Sequence, residues 1–368
     1  MRDIPFFNYR KAFADQRDAF TATFHDVLAR GAYILQRDML DFEMHLGAYV
    51  GASHALGVGN ATDGLHFLWR AAGLRPGDEV ILPSHTMVAT AAAIHFAGGV
   101  PVPVDCGPDH LLDPAAAAAA VGPRTRGICP VQLNGRACDM GAIEALARKH
   151  DLILIEDAAQ ALGAMWKGRM AGSFGKGGAF SFYPAKLLGC LGDGGAVTTN
   201  DADVAREVFL LRDHGRTPEG DVVGWGLNSR LDNLQAAFLD LQLSDYAKII
   251  GTRRRLAGIY HEMLRDISAL RLPPGPDADP DHFDVYQNYE LEADRRDELR
   301  AHLKARGIGT NVQWGGKAVH QFAALGFAVH LPETERFFTR ALMLPLNTTL
   351  SDDDARTVAE TIRDFYGR

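Results

Sequence analysis

The sequence predicts an α/β protein with a mostly parallel sheet in a large three-layer domain, followed by a smaller C-terminal α+β domain. Short apolar runs alternate with helix-like stretches from residue 54 to residue 212. Strands separated by helices pair in parallel and are covered on both faces. A proline- and glycine-rich segment at residues 273–280 indicates a linker. We divide the chain into an N-terminal arm (residues 1–30), the large domain (31–250) and the small domain (251–368).

Each element follows from its own pattern of apolar residues. Residues 13–50 have helical spacing with an interruption at 31–34, which predicts a helix, an extended turn and a second helix. The run 152–155 is apolar throughout and suits the centre of the sheet. The other strands are predicted at residues 54–58, 79–82, 100–104, 127–129, 178–181, 195–199 and 284–291. The other helices are predicted at residues 65–72, 88–96, 114–121, 141–150, 202–212, 232–262, 295–306 and 352–366.

Charge and cysteine content exclude several classes of function. The chain has 38 basic and 46 acidic residues, a net charge of −8, which argues against a nucleic-acid or anionic-membrane surface. The four cysteines have no CxxC spacing and are too few for a disulfide scaffold, so we expect reduced thiols and no metal site. No signal-peptide pattern and no run of about 18 apolar residues occurs, so we expect a cytoplasmic protein.

Lys186 and Asp157 are the candidate catalytic residues. Lys186 lies between Ser181-Phe-Tyr-Pro and a glycine-rich stretch at residues 189–195. Apolar surroundings lower the pKa of a lysine, and glycines let the backbone approach a flat ring. Asp157 follows the strand at 152–155, at the sheet edge where open α/β proteins bind ligands. Pyridoxal 5'-phosphate (PLP) chemistry needs a lysine that forms a Schiff base and a carboxylate that keeps the pyridine nitrogen protonated.

Both residues also have plainer interpretations. Asp157 alone is equally suited to cap a helix, and a loop lysine is most often a solvated charge. Lys176, between Gly175 and Gly177, competes with Lys186. We favour Lys186 because it follows the strand at 178–181, whereas Lys176 precedes it.

Residues 59–64 predict a phosphate site at the start of a helix. The segment Gly-Asn-Ala-Thr-Asp-Gly, which includes Thr62, precedes an amphipathic stretch. Backbone N–H groups and a hydroxyl at a helix N-terminus bind phosphate without a basic side chain. Ser181 offers a second hydroxyl. A helix cap without any ligand is the alternative for this segment taken alone.

Together these motifs resemble the DegT/StrS-type sugar aminotransferases, which are PLP enzymes of the aspartate aminotransferase fold (fold type I). The similar stretches keep one order along the chain: residues 33–35, 42–43, 59–65, 83–90, 130–135, 156–163, 181–186, 212–215, 227–231 and 234–237. The resemblance implies PLP as cofactor, L-glutamate as amino donor and a homodimer with shared active sites.

The resemblance also implies a role for each matching residue. Lys186 would carry the cofactor and move a proton, Asp157 would pair with the pyridine nitrogen, and Gln160 would bond to the phenolic oxygen. The residues that would hold the phosphate are Ala61, Thr62, Ser181 and, from the neighbouring subunit, Asn228. His214 and Arg230 lie in matching motifs, and their roles stay open between structure and function.

Two departures from the family pattern concern the cofactor ring and the substrate. Relatives usually place an aromatic residue over the ring where this chain has Met87, whose thioether can cover it; His85 is the alternative. Many relatives carry a histidine- and proline-rich loop where this chain has residues 310–320. The candidate sugar-binding residues are Gln313, Trp314, Lys317 and His320, with His85 as a further candidate. A packed hairpin is the alternative interpretation of the loop.

The implied reaction transfers an amino group from L-glutamate to a keto- or aldehydo-sugar, with or without a nucleotide, in amino-sugar or lipopolysaccharide biosynthesis. A PLP-dependent sugar dehydratase is an alternative, but such relatives are expected to replace the lysine, so Lys186 argues against it. A non-catalytic regulator of the same fold is another. A nicotinamide-dependent dehydrogenase is disfavoured because Gly57 and Gly59 are not followed by a third glycine at the required spacing.

Overall fold

The computed structural model describes residues 3–367, so residues 1, 2 and 368, at the ends of the expected arm and small domain, lie outside the described residues. The α-helices are α1 (Tyr9–Ala14), α2 (Arg17–Arg30), α3 (Arg37–Val50), α4 (Ala61–Ala71), α5 (Val88–Phe96), α6 (Pro114–Ala119), α7 (Met140–His150), α8 (Ala202–Arg212), α9 (Asn233–Leu243), α10 (Tyr246–Leu264), α11 (Arg296–Ala305), α12 (Pro332–Arg340) and α13 (Asp352–Phe365). The strands are β1 (His54–Val58), β2 (Glu79–Pro83), β3 (Val100–Val104), β4 (Thr125–Ile128), β5 (Ile153–Leu154), β6 (Glu156–Asp157), β7 (Met165–Trp166), β8 (Arg169–Met170), β9 (Gly178–Ser181), β10 (Gly195–Thr199), β11 (Leu270–Arg271), β12 (His282–Phe283), β13 (Tyr289–Ala293) and β14 (Ala341–Leu344).

A mostly parallel sheet forms the centre of the protein, as predicted. β2 pairs in parallel with β3 and β4, β4 with β5, and β6 with β9, whereas β10 runs antiparallel between β9 and β1. β5 and β6 are two parts of one extended segment, because Ile155 N donates to Ile128 O (3.2 Å) and Asp157 N to Pro130 O (3.0 Å). The combined order is therefore β3, β2, β4, β5 with β6, β9, β10, β1, with the apolar run in the middle.

Helices cover this sheet on both faces. Successive residues of a strand point to opposite faces. In β9, Ala179 packs in one core with Leu65 and Trp69 of α4, whereas Phe180 packs in another with Phe42 of α3. This arrangement produces the three-layer large domain and leaves the strand ends as the place for a site.

A separate core lies toward the C-terminus. There β13 pairs antiparallel with β11 and β14, and this small sheet shares a core with α10, α11 and α13. Ile4, from the start of the chain, is buried in the same core. The expected boundary at residue 250 falls inside α10, whose Ile250 packs under the large sheet and whose Leu256 packs in the C-terminal core. The division into domains stays a prediction.

Two predicted elements differ from the structure. The helix expected at residues 232–262 is split into α9 and α10, and at the break Ser244 Oγ donates to Leu241 O (2.7 Å), a local bond that competes with the helical ladder. The strand expected at 284–291 begins only at Tyr289, because Tyr286 adopts a left-handed conformation (φ 53°) that a strand cannot include.

Three general features concern membrane helices, cysteines and metal sites. Within residues 3–367 no helix combines the length and apolar character needed to cross a bilayer. Cys106, Cys129, Cys138 and Cys190 are all buried free thiols. No group of three or more side chains suited to hold a metal ion occurs in this part of the chain.

Candidate active site

Asp157 ends the central strand of the sheet at its carboxyl edge. The residue is 5% exposed. Its Oδ2 accepts a hydrogen bond from Thr90 Oγ1 (2.6 Å), and its Oδ1 accepts one from Ala159 N (3.1 Å). Burial raises the pKa of Asp157, and the two hydrogen bonds and the positive charge of Lys186 oppose this rise. The carboxyl group is thus held rigidly where the sequence predicts a ligand.

Lys186 lies close enough to Asp157 for their charges to interact. Burial lowers the pKa of Lys186 to about 8, and the charge of Asp157 opposes that fall. At neutral pH such a lysine has a larger neutral, nucleophilic fraction than an ordinary surface lysine. Gln160 and Ser181 line the same small cavity as Lys186. The structure therefore brings four of the predicted site residues together.

Lys176, the competing lysine, lies at the opposite edge of the sheet. Its Nζ forms an ion pair with Asp201 (2.8 Å). It borders an open hollow of about 1070 Å³ whose other lining residues include Asp78 and Leu152, just before β2 and β5. Because parallel strands align their ends, Lys176 is a strand length away from Asp157 and cannot share a site with it.

The start of α4 has two backbone N–H groups without a protein acceptor among the described residues. Asn60 caps the helix by accepting from Asp63 N (2.9 Å). Among the described residues, no protein acceptor bonds to the backbone N–H of Ala61 or Thr62. Gly195 packs against this turn so closely that an added Cβ would lie 2.6 Å from Asn60 C.

Ser181 lies on the strand next to these N–H groups. It pairs with Gly195 across the β9–β10 ladder, so its strand position adjoins the start of α4. Its Oγ accepts from Tyr183 N (3.3 Å), and the hydroxyl proton remains available to a ligand. Unpaired N–H groups at a helix N-terminus together with a hydroxyl suit an anion such as phosphate.

Met87 and His85 have very different surroundings. Met87 is 50% exposed, at the N-cap position of α5. His85 is buried: its Nδ1 donates to His110 O (2.8 Å), and the rings of Phe337 and Phe338 lie 4.6 and 5.2 Å from its own. Burial lowers the pKa of His85 to about 3. The Met87 side chain is thus accessible to a cofactor ring. The His85 side chain is buried and is not accessible to a cofactor or a sugar.

The loop at residues 313–320 is held at both ends. Gln313 is buried, and its Nε2 donates to Glu290 Oε2 (2.8 Å) and Asn134 Oδ1 (3.0 Å). At the other end, His320 Nδ1 and Ser84 Oγ form a hydrogen bond (2.7 Å). The Nε2 atom of His320 lies 3.0 Å from Glu335 Oε1. Both side chains are therefore occupied within the protein and have little left to offer a sugar.

The middle of this loop is accessible. Trp314 has a left-handed backbone (φ 48°) and packs partly against Phe338, with ring centroids 6.3 Å apart. Lys317 is exposed, and among the described residues no ion pair or hydrogen bond of its ammonium group is found. Of the predicted loop residues, Lys317 and part of Trp314 can reach a ligand.

Three residues in the segment 213–230 were expected to matter. Asn228 is exposed and forms an isolated antiparallel bridge with Asp213. Arg230 Nη1 forms an ion pair with Asp213 Oδ1 (2.8 Å), and His214 has a left-handed backbone (φ 58°). Arg230 therefore holds its own loop in shape, and the role of Asn228 toward a partner stays a prediction.

Sequence reasoning missed the partners of the predicted residues. Thr90 was part of a matching stretch but was given no role, although it bonds to Asp157. Asn134 N donates to Gln160 Oε1 (2.9 Å), and Asn134 and Glu290 bond to each other (2.7 Å). A buried glutamate within a strand, at Glu290, was the available signal, because a carboxyl group is rarely buried without a specific partner.

Comparison with known proteins identifies the family of this chain. The sequence model of the DegT/DnrJ/EryC1/StrS aminotransferase family matches residues 14–363. The chain is 39% identical over 370 residues to dTDP-3-amino-3,4,6-trideoxy-alpha-D-glucose transaminase of Streptomyces venezuelae, covering 99% of this chain and 97% of that protein. It is 35% identical over 361 residues to UDP-2-acetamido-2-deoxy-3-oxo-D-glucuronate aminotransferase of Pseudomonas aeruginosa, covering 98% and 99%.

A solved structure extends the agreement to three dimensions. The crystal structure of S. venezuelae DesV in complex with a ketimine intermediate superimposes with a TM-score of 0.96 at 39% identity, over the full length of both chains. One family assignment follows from the family match, and it fits the order of strands and the position of Lys186 in its loop. The chain belongs to the DegT/DnrJ/EryC1/StrS aminotransferase family.

Proposed function

We propose that this chain is a PLP-dependent sugar aminotransferase of the cytoplasm, which moves an amino group from L-glutamate to a keto- or aldehydo-sugar. The observation that carries the proposal is the pair formed by Lys186 and Asp157 at the carboxyl edge of the sheet, next to the unpaired N–H groups of α4. The lysine suits the aldehyde of PLP, the carboxylate suits its pyridine nitrogen, and the anion site suits its phosphate.

Each part of the proposed site has a defined task. Bound PLP supplies an electron sink for the carbon that gains or loses the amino group. Asp157, held by Thr90, would pair with the pyridine nitrogen. Ala61, Thr62 and Ser181 hold the phosphate. Lys186, with its lowered pKa, attaches the cofactor and moves a proton to or from the reacting carbon.

The sugar is proposed to enter beside the exposed part of the 313–320 loop. Lys317 offers a positive charge, which favours a substrate with a phosphate or carboxylate group. The S. venezuelae relative is named for a dTDP-linked sugar and the P. aeruginosa relative for a UDP-linked one. A nucleoside diphosphate sugar combines these properties, and we propose it as the substrate class.

A homodimer is proposed because an apolar surface is left uncovered. Trp225 is 93% exposed, with Val222, Val223 and Leu227 also exposed on the same segment. Exposed apolar clusters of this kind mark protein interfaces. Asn228 lies on this segment, and in a dimer it would approach the phosphate site of the neighbouring subunit.

Two measurements test the proposed function. The purified protein should show the visible absorbance band of lysine-bound PLP, and L-glutamate should remove that band. Lys186→Ala should lack both properties. Mass spectrometry should then detect an amino-sugar after incubation with a panel of keto-sugars, with and without a nucleotide. A protein that binds no PLP, or whose band ignores glutamate, would contradict the proposal.

The same measurements separate the alternative functions. A dehydratase would release a deoxygenated sugar without incorporating nitrogen. A regulator would give no new product from any sugar in the panel, whether or not it bound PLP. Incorporation of ¹⁵N from labelled glutamate into the sugar distinguishes transamination from both.

A further inference from the structure

Four amide side chains next to the candidate cofactor site form a network that ends at one buried carboxyl group. Gln160 Nε2 donates to Gln313 Oε1 (3.4 Å), and Gln313 Nε2 donates to Glu290 Oε2 (2.8 Å). In parallel, Asn288 Nδ2 donates to Asn134 Oδ1 (2.8 Å), and Asn134 Nδ2 donates to Glu290 Oε2 (2.7 Å). Every bond in both chains runs toward Glu290, which is 5% exposed.

The direction of these bonds determines how Gln160 is oriented. An amide side chain has one accepting end and one donating end, and rotating it by half a turn exchanges them. The accepting end of Gln160, Oε1, receives Asn134 N (2.9 Å) and, more weakly, Asn288 Nδ2 (3.4 Å). Its donating end, Nε2, carries two hydrogens; one makes the long bond to Gln313, and the second is left for a ligand.

The backbone of Asn134 depends on the same network. Asn134 has a left-handed conformation (φ 56°), which costs free energy in a residue other than glycine. Its side chain is held by Glu290, Gln313 and Asn288. This conformation turns the Asn134 N–H toward Gln160. Glu290 thus stabilises the strained turn that orients Gln160, although the two side chains are not in contact.

Two histidines near the carboxyl group, His110 and His85, do not compete for its accepting oxygen. His110 Nε2 is engaged with Glu292 Oε1 (2.9 Å). His85 Nε2 lies 3.6 Å from Glu290 Oε2, too far for a hydrogen bond, and its Nδ1 is engaged with His110 O. Neither His85 Nε2 nor Glu290 Oε1 has a hydrogen-bond partner among the described residues. Glu290 Oε2 consequently accepts hydrogen bonds from Asn134 Nδ2 and Gln313 Nε2.

We propose that Glu290 is a positioning residue: as the final acceptor of the amide network, it orients Gln160 so that an N–H group faces the phenolic oxygen of the cofactor. This inference rests on the proposed PLP function and on the role of Gln160. With PLP attached to Lys186, the phenolic oxygen would share a proton with the lysine nitrogen. A second N–H donor to the same oxygen would weaken its hold on that proton. If the donor is lost, the proton should be held more tightly and its pKa should rise.

The test is a pH titration of the visible absorbance of the bound cofactor, which does not depend on turnover. Glu290→Leu removes the acceptor, and we expect the pH midpoint to rise by about 1 unit. Glu290→Gln keeps an accepting oxygen with nearly the same shape and should titrate like the wild type. A midpoint unchanged by Glu290→Leu, or shifted equally by Glu290→Gln, would overturn the inference.

Gln160→Leu separates this inference from the function beneath it. If Gln160→Leu leaves the midpoint unchanged, Gln160 does not bond to the phenolic oxygen, and the inference falls while PLP binding stands. Absence of any PLP band in the wild type would instead reject the proposed function. Should Glu290→Leu fail to fold, Asn134→Ala cuts the same connection and should raise the midpoint; an unshifted midpoint in that variant also overturns the inference.

Discussion

At the scale of single residues, the site depends on opposed electrostatic effects. Burial disfavours charge on both Lys186 and Asp157, whereas each favours the charged state of the other. Thr90 and the backbone of Ala159 add hydrogen bonds that stabilise the carboxylate. Such a pair holds an amine of lowered pKa and a hydrogen-bonded carboxyl group close to each other.

The pKa of Lys186 should fall below about 8 when Asp157 becomes neutral, because the charge of Asp157 is what raises it against burial. We expect Asp157→Asn to move the pH midpoint of Lys186 acetylation downward in the cofactor-free protein. Mass spectrometry of the modified peptide measures this reaction. Asp193→Asn removes another carboxylate from the glycine-rich stretch and serves as the control; equal midpoints in both variants would contradict the prediction.

At the scale of elements, the proposed phosphate site depends on the close approach of β10 to the start of α4. Gly195 lies where an added Cβ would be 2.6 Å from Asn60 C and 2.8 Å from Ala61 N. These neighbours are backbone atoms, so they cannot move away without shifting the helix. The strand and the helix were both predicted from sequence, but their separation was not.

Gly195→Ala should displace the first turn of α4. We expect unfolding in urea to show a loss of about 1–3 kcal/mol, together with weaker PLP binding. Gly192→Ala is a matched control, since its Cβ would meet only the end of the flexible Gln235 side chain, at 3.3 Å. If both variants were equally stable and bound PLP equally well, the packing account of the site would be wrong.

The 313–320 loop is the second element with a separable task. Because Gln313 and His320 at its ends bond to Glu290 and Ser84, the middle of the loop is the part left for the proposed contact with substrate. Lys317→Ala should raise KM for a nucleotide-linked sugar by about tenfold and leave the reaction with glutamate unchanged. Lys304→Ala, another exposed lysine, should change neither. A Lys317→Ala enzyme with normal sugar kinetics would remove this residue from the substrate site.

At the scale of the whole molecule, the uncovered apolar segment around Trp225 predicts assembly. A twofold dimer buries the same surface on both subunits. The segment also carries Asn228, so the dimer and the completeness of the active site are linked in the proposal. The single chain contains the lysine, the carboxylate and the anion site, but not a covered apolar surface.

Shared active sites predict that two inactive variants restore activity when they form one dimer. Lys186→Ala removes the amine, and Asn228→Asp places a negative charge beside the partner's phosphate site. A hybrid dimer would contain one site with both defects and one intact site. The mixture of dimers from co-expressed variants should recover about a quarter of the wild-type activity, and hybrids purified through two different tags about half. No recovery in purified hybrids would show that Asn228 does not serve the partner's site.

The sequence by itself determined the fold class, most strands and helices of the large sheet, and the residue types that favour PLP chemistry. These depend on local patterns: apolar periodicity, glycines at turns and a polar residue at a strand end. The tertiary structure decided which buried side chains meet, and it directed Gln313, His85 and His320 into the interior. Contacts such as Glu290 with Asn134 join distant parts of the chain, and periodicity indicates that a residue is buried but not which partner it will contact.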